Sequence, residues 1–252
     1  MAERLGDRSS SLSAVDQWTY GRQYTDAARD AADIQQQFRR YERFYRALLL
    51  RPGRLPPQRD VPILDLPCGE GAMVYSLRQM GYTNVAGYDL DRGRLATGQK
   101  LGLPLHYDDV FAVLARQGDG TVGCVLAMDF LEHLEKSQVV DFLNQVHRVL
   151  SSGGRLLVRT PCADAPQGMM HVYNDFTHKW AATSGVLRQL LTGSGFARAE
   201  VFGEHPALAM SRGYLRVPLF KLITGAGNLL LRAAGLSPYR IWSPSMWALG
   251  IK

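Results

Sequence analysis

The chain has 252 residues, 46% of them hydrophobic, enough to bury a real core as one large domain or two small ones and to mark a globular protein. Its three cysteines, Cys68, Cys124 and Cys162, are too few and too scattered for a disulfide framework or a four-ligand zinc site, so a reducing compartment, the cytoplasm, is expected. The net charge of +6 is local: from Glu204 to Lys252 six bases (Arg212, Arg216, Lys221, Arg232, Arg240, Lys252) face one acid, so this stretch carries +5 and the remainder +1.

Met1 to Ser13 is charged and serine-rich without an apolar core, and reads as neither a signal peptide nor a membrane span. Ser13 to Leu50 predicts one or two helices and the Pro/Arg-rich Arg51 to Asp60 a linker, so residues 1–60 form an N-terminal helical cap before a main domain over 61–252. Strands are predicted at Val61–Leu66, Asn84–Leu90, Leu103–Tyr107, Gly123–Met128 and Gly154–Thr160, with helices starting near Gly71, Asp91, Asp109 and Ser137. The clearest helix, Ser137–Leu150, carries Val139, Val140, Phe142, Leu143, Val146, Val149 and Leu150 on one face, and Gly153-Gly154 is expected to stop it. This βαβα order predicts an α/β fold with a doubly wound, mostly parallel sheet. Residues 204–240 read as a helical lid or insertion ahead of a last short apolar strand, Met246–Lys252.

The first strand runs into the loop "ILDLPCGEG", Ile63 to Gly71, at the carboxyl edge where open α/β sheets bind ligands. It is neither a GxxxxGK[ST] phosphate loop nor GxGxxG, which removes the main reasons to expect ATP or a dinucleotide. Asp65 would repel a pyrophosphate but accepts hydrogen bonds from an ammonium-bearing ligand, and Gly69 and Gly71 let the backbone approach it closely. A cationic, amino-bearing nucleoside fits these residues.

The stretch "ILDLPCGEG" resembles the first motif of class I S-adenosylmethionine (SAM)-dependent methyltransferases, with Pro67 in place of the first glycine, which stiffens the loop and removes one N–H donor. "GYDLD", Gly87 to Asp91, resembles the second motif, which implies that Asp89, with Leu90 beside it, grips the ribose hydroxyls. Asp108-Asp109-Val110 resembles the third and implies that Asp109, or else Asp108, meets the adenine amino group. "VLAMDFLEHL", Val125 to Leu134, is similar to the segment that walls the methionine end of SAM, Met128 included. "RVLSSGGRLLVRTP", Arg148 to Pro161, resembles the fifth-strand signature. The five motifs stand in the family's order over roughly Val61–Phe202 and imply a seven-stranded Rossmann-like sheet whose last strand is antiparallel. The bland alternative for each of the three acids Asp89, Asp108 and Asp109 is a helix cap.

Pro161 to Phe196 further resembles methyltransferases associated with bacterial polysaccharide and glycan biosynthesis, which implies O-methylation of a sugar hydroxyl or other small-molecule acceptor. Such a transfer needs a group that removes the hydroxyl proton. The candidates are His178 with Asp175 beside it, and His133; His171 stands further off. His171, Asp175 and His178 could also hold a metal, but two histidines and a carboxylate are common by chance, and no metal is expected. Cys162 follows Pro161 after strand five rather than strand four, and reads as a small loop residue rather than a nucleophile. Nucleic-acid methylation is the rival activity, and a SAM-binding protein without transfer a third. The chain lacks an Asn/Asp-Pro-Pro-Tyr-like turn after strand four and the aromatic-basic interleaving of a base-stacking face, so a nucleic-acid partner is not expected.

From Pro218, the residues Leu219, Leu222, Ile223, Ala226, Leu229, Leu230 and Ala233 share one helical face, opposite Lys221, Thr224, Asn228 and Arg232. The simpler expectation is a lid whose apolar face packs on the domain. The sharper one, drawn from the basic excess over 212–236, is a peripheral contact with an anionic membrane surface at its inner face.

Overall fold

The computed structural model describes residues 30–204 and 213–252. The readings of Met1–Ser13, of residues 13–29 and of the 205–212 part of the insertion lie outside these residues.

Helix α1 (Ala31–Leu49) starts at Asp30, whose carboxylate accepts from Asp33 N. Then come β1 (Ile63–Asp65), α2 (Ala72–Gln79), β2 (Val85–Asp89), α3 (Arg92–Gln99), β3 (Leu105–Tyr107), α4 (Val110–Arg116), β4 (Val122–Met128), a 3-10 turn (Leu131–His133), α5 (Lys136–Val149) and β5 (Leu150–Pro161). The remainder is α6 (Gly168–Tyr173), α7 (Ser184–Gly193), β6 (Arg198–Gly203), α8 (Gly213–Ala233) and β7 (Ser245–Ile251). The seven strands form one sheet in the order β3-β2-β1-β4-β5-β7-β6, parallel except for β7, which runs antiparallel to both β5 and β6. This is the doubly wound sheet that the βαβα order implies, and the order reverses between β1 and β4.

The strands are apolar on both faces because helices cover both. On one side α4, α5 and α7 bury Val113, Phe142, Val146 and Leu187 against Val125, Leu156 and Ala248. On the other, α1, α2 and α3 bury Phe38, Leu77 and Leu95 against Ile63, Leu126 and Trp247. Thus α1 is packed into the main core rather than standing off it, with Phe38 edge-on to Tyr75 and Tyr45 edge-on to Trp247.

Several boundaries shift for local reasons. The third strand starts at Leu105 rather than Leu103, since Pro104 has no N–H and Leu105 N turns back to Leu103 O. Helix α5 ends at Val149, four residues before Gly153, and the chain passes directly into β5, so the glycine pair does not stop it. Val140 is 44% exposed and does not belong to the apolar face.

Helix α8 seats on the domain by a mixed side that carries Val217, Phe220 and Leu231 with Gly227 and Asn228: a Cβ on Gly227 would strike the Trp242 ring, and the Asn228 amide exchanges hydrogen bonds with the Tyr239 backbone. The row expected to pack inward points out instead, with Leu219, Leu222, Ile223, Leu229 and Leu230 all exposed. No helix among the described residues is long and apolar enough to cross a membrane.

Candidate active site

At the carboxyl ends of β1, β2 and β4, where the strand order reverses, the chain opens into a cleft of about 1510 Å³. Asp65 ends β1 at its floor and is 1% exposed; neither carboxylate oxygen has a hydrogen-bond partner among the described residues. Burial, with Asp89 nearby, drives its carboxyl well above the ordinary range. A buried carboxylate is stable as an anion only with a cationic or donor partner, and an ammonium group in the cleft would be one.

Asp89 ends β2. One of its oxygens accepts from Gly69 N at 2.7 Å and the other from Asp91 N at 2.8 Å, so it ties the first loop to the second. The helix-capping role falls to Asp91, which accepts from Arg94 N, and leaves the remaining lone pairs of Asp89 facing the cleft. Gly69 and Gly71 sit at φ +54° and +84°, and a Cβ on either would strike Arg94 or Leu105, so both positions demand glycine. Pro67, Leu90 and Met128 line the cleft as well. The third acid pair divides: Asp109 lines the cleft while capping α4 through Ala112 N, whereas Asp108 is outside the lining and ion-pairs with Arg116. This set of acceptors, an unpartnered acid at the floor, an acid at the end of β2 and Asp109 after β3, fits the amino, ribose and purine groups of SAM.

The wall after β4 and the segment before α7 meet on the other side. Thr177 links them: its hydroxyl donates to Asp175 Oδ1 at 2.6 Å and lies 2.8 Å from His133 Nδ1. Asp175 also accepts from Thr177 N, and these bonds outweigh burial to hold its carboxyl below the ordinary range. It is therefore an acceptor only, and the single hydroxyl hydrogen of Thr177 goes to it. The network thus assigns the proton on Nδ1 of His133, donated to Thr177, and leaves Nε2 with a lone pair. Burial, and then the adjacent His178, lower the pKa of His133, so this imidazole is neutral at pH 7.

His178 does not form the expected hydrogen-bonded pair with Asp175. Its Nδ1 meets the Val172 carbonyl at 2.8 Å, its ring stands edge-on to His133 at 4.8 Å, and its Nε2 lies 4.0 Å from Glu132 Oε1. Glu132 is missing from the residues expected from sequence, although it sits beside His133 in "FLEHL". It is 1% exposed, accepts from Thr160 Oγ1, and is pushed up to about 8 by burial and by Asp129. Arg159, also unforeseen as a site residue, pairs with Asp129 and with Glu204 and lines the cleft floor. The helix α1 contributes Arg40, Tyr41, Phe44 and Tyr45 to the opposite rim.

The set His171, Asp175 and His178 is not brought together as metal ligands. The cluster that forms among the described residues is Glu132, His133 and His178, with ligand atoms up to 4.8 Å apart. Two ligands on one ion at about 2.1 Å each lie no more than about 4.2 Å apart, so this trio would have to close before it could share an ion. Cys162 is buried with its thiol donating to Asp164, and burial raises it to about 12, as suits a packed loop residue rather than a nucleophile.

Residues 35–201 match the model of a methyltransferase domain family. The fold is similar to that of a SAM-dependent methyltransferase from Archaeoglobus fulgidus, at 17% identity over 87% of this chain and 93% of that one, with a TM-score of 0.61. It is also similar to one from Mesorhizobium loti, at 20% identity over 83% and 98%, with a TM-score of 0.57. Haemonchus contortus phosphoethanolamine N-methyltransferase 2, solved with S-adenosyl-L-methionine, matches at 15% identity over 86% and 57%, with a TM-score of 0.55. No curated protein matches the chain. The family match, over a sheet that places Asp65 and Asp89 at its switch point, makes this chain a member of the methyltransferase domain family.

Proposed function

We propose that this methyltransferase, with SAM as its methyl donor, methylates a hydroxyl group, of a sugar, glycan or other small acceptor, and that His133 removes the hydroxyl proton. The observation that carries the reading is the Asp175–Thr177–His133 chain, which fixes one ring nitrogen as a donor and leaves the other a base in the cleft. SAM supplies an electrophilic methyl group on a sulfonium that departs as a neutral thioether. An alcohol must shed its proton as its oxygen bonds to that methyl, and a neutral, buried imidazole can take it. Asp175 then stabilises the imidazolium through Thr177. His178 and the protonated Glu132 offer further hydrogen bonds to a polyhydroxylated acceptor, and Lys179 lies at the same rim. The resemblance of Pro161–Phe196 to methyltransferases of glycan biosynthesis supports a sugar.

Methyl transfer to panels of sugars, nucleotide sugars, phenols, amines and RNA, read as S-adenosylhomocysteine release, tests this. Turnover is expected with hydroxyl acceptors; turnover with amines or RNA alone would refute it. With the acceptor so identified, His133→Ala should lower kcat roughly 10²-fold or more while the affinity for SAM stays near wild type. Because burial depresses the His133 pKa, the base form already predominates below neutrality. Activity should rise with pH below about 6.5, where unperturbed His titrates, and Thr177→Val should move that limb. If His178→Ala abolishes activity and His133→Ala does not, the base is His178; if a chelator abolishes it, the proton passes to a metal-bound group.

A further inference from the structure

Helix α8 leaves the sheet after β6 and returns at β7, so it sits on the stretch joining Glu204 and Ser245, both of which line the cleft. Its domain-facing side is a mixed stripe, Val217, Phe220, Thr224, Gly227, Asn228 and Leu231, each half-buried. The opposite side exposes Leu219 (56%), Leu222 (69%), Ile223 (55%), Leu229 (68%) and Leu230 (71%), with Leu236 just beyond the helix. Lys221 and Arg232, both exposed, lie together on one flank of the helix, between this row and the domain. From His205 to Lys252 the sequence holds no acid at all.

We infer that α8 is an in-plane membrane anchor that seats this rim of the protein on an anionic lipid surface. Soluble helices turn such a row inward; here only Val217, Phe220 and Leu231 among the large apolar side chains of the described residues lie on the packed side, and the longer leucine-rich row stands opposite the domain. Bases beside an apolar row suit an interface whose acyl region takes the leucines and whose phosphates meet Lys221 and Arg232. A second copy of this chain is the poorer occupant, because helix pairing about a two-fold axis would bring these bases toward their own kind with no acid in the segment to meet them. The inference is independent of which acceptor the cleft takes.

The test is co-sedimentation of the full chain with vesicles of phosphatidylcholine alone or mixed with phosphatidylglycerol. Binding is expected to the mixed vesicles only, and to weaken as salt rises. Lys221→Glu with Arg232→Glu should weaken it about a hundredfold or more, and Leu222→Glu with Leu230→Glu should abolish it. All four side chains are exposed, so each double variant should keep its melting temperature and its affinity for SAM. Protein left in the supernatant with mixed vesicles at low salt overturns the inference. So does a dimer in sedimentation equilibrium that Leu222→Glu with Leu230→Glu dissociates, which would assign the row to a second copy.

Discussion

At the scale of single residues, the acids of the cleft carry opposite kinds of information. Asp89 is held by two backbone N–H groups and faces the cleft with its remaining lone pairs, where a ribose diol is expected. Asp89→Ala should therefore weaken SAM binding by one to two orders of magnitude, about 1.4 to 3 kcal/mol, measured by calorimetry; unchanged affinity would remove it from the site. Glu132 gains nothing comparable from its burial. Its folded pKa of about 8 lies above the 4.5 of an ordinary glutamate, so its protonated form is the one folding favours. Its contribution is intact below pH 4.5 and is lost progressively as pH rises to about 8. Glu132→Gln, which keeps the Thr160 hydrogen bond, should raise the melting temperature by a margin that widens across that window and then levels; a constant margin would refute the shift. Asp65, Asp89, His133 and His178 were legible in sequence as residues of the cleft, because strand-end acids and histidines in the loops after the fourth and fifth strands announce themselves. The partner of Asp175 was not: Thr177 lies two residues from it but bonds His133 across 44 residues, and no periodicity encodes such a pair.

Elements were legible wherever both faces of a segment are buried. The strands β1, β2 and β4 read directly as apolar runs, while β6 did not, since Arg198–Gly203 lies at the sheet edge with charged Arg198 and Glu200 on it. The period of α8 was readable, but which side would face the domain was not; that depends on Gly227, where the absence of a side chain admits Trp242. Gly227→Val would force these atoms apart and should cost about 1–3 kcal/mol, the range for overpacking a close contact. Denaturant unfolding checks the loss. Faster hydrogen exchange confined to the Asn228–Tyr239 region would show that the helix has lifted from its seat; unaltered stability and exchange would mean that the seat is loose.

Over the whole molecule, the placement of β7 has a consequence in time. It lies between β5 and β6, yet follows both in the chain, and among the described residues β6 has no neighbour in the sheet but β7. During synthesis the stretch from Gly203 to Ser245, α8 included, must be made before that neighbour exists. At ordinary translation rates this takes roughly two to eight seconds. For that interval the Arg198–Gly203 backbone is an open edge beside an unfinished core, the circumstance in which a nascent chain recruits a foreign strand. The Arg198–Glu200 ion pair on that strand leaves two charges on any such template. These are the side chains that hid β6 from an apolar pattern search, and they keep its edge unattractive until its own partner emerges from the ribosome.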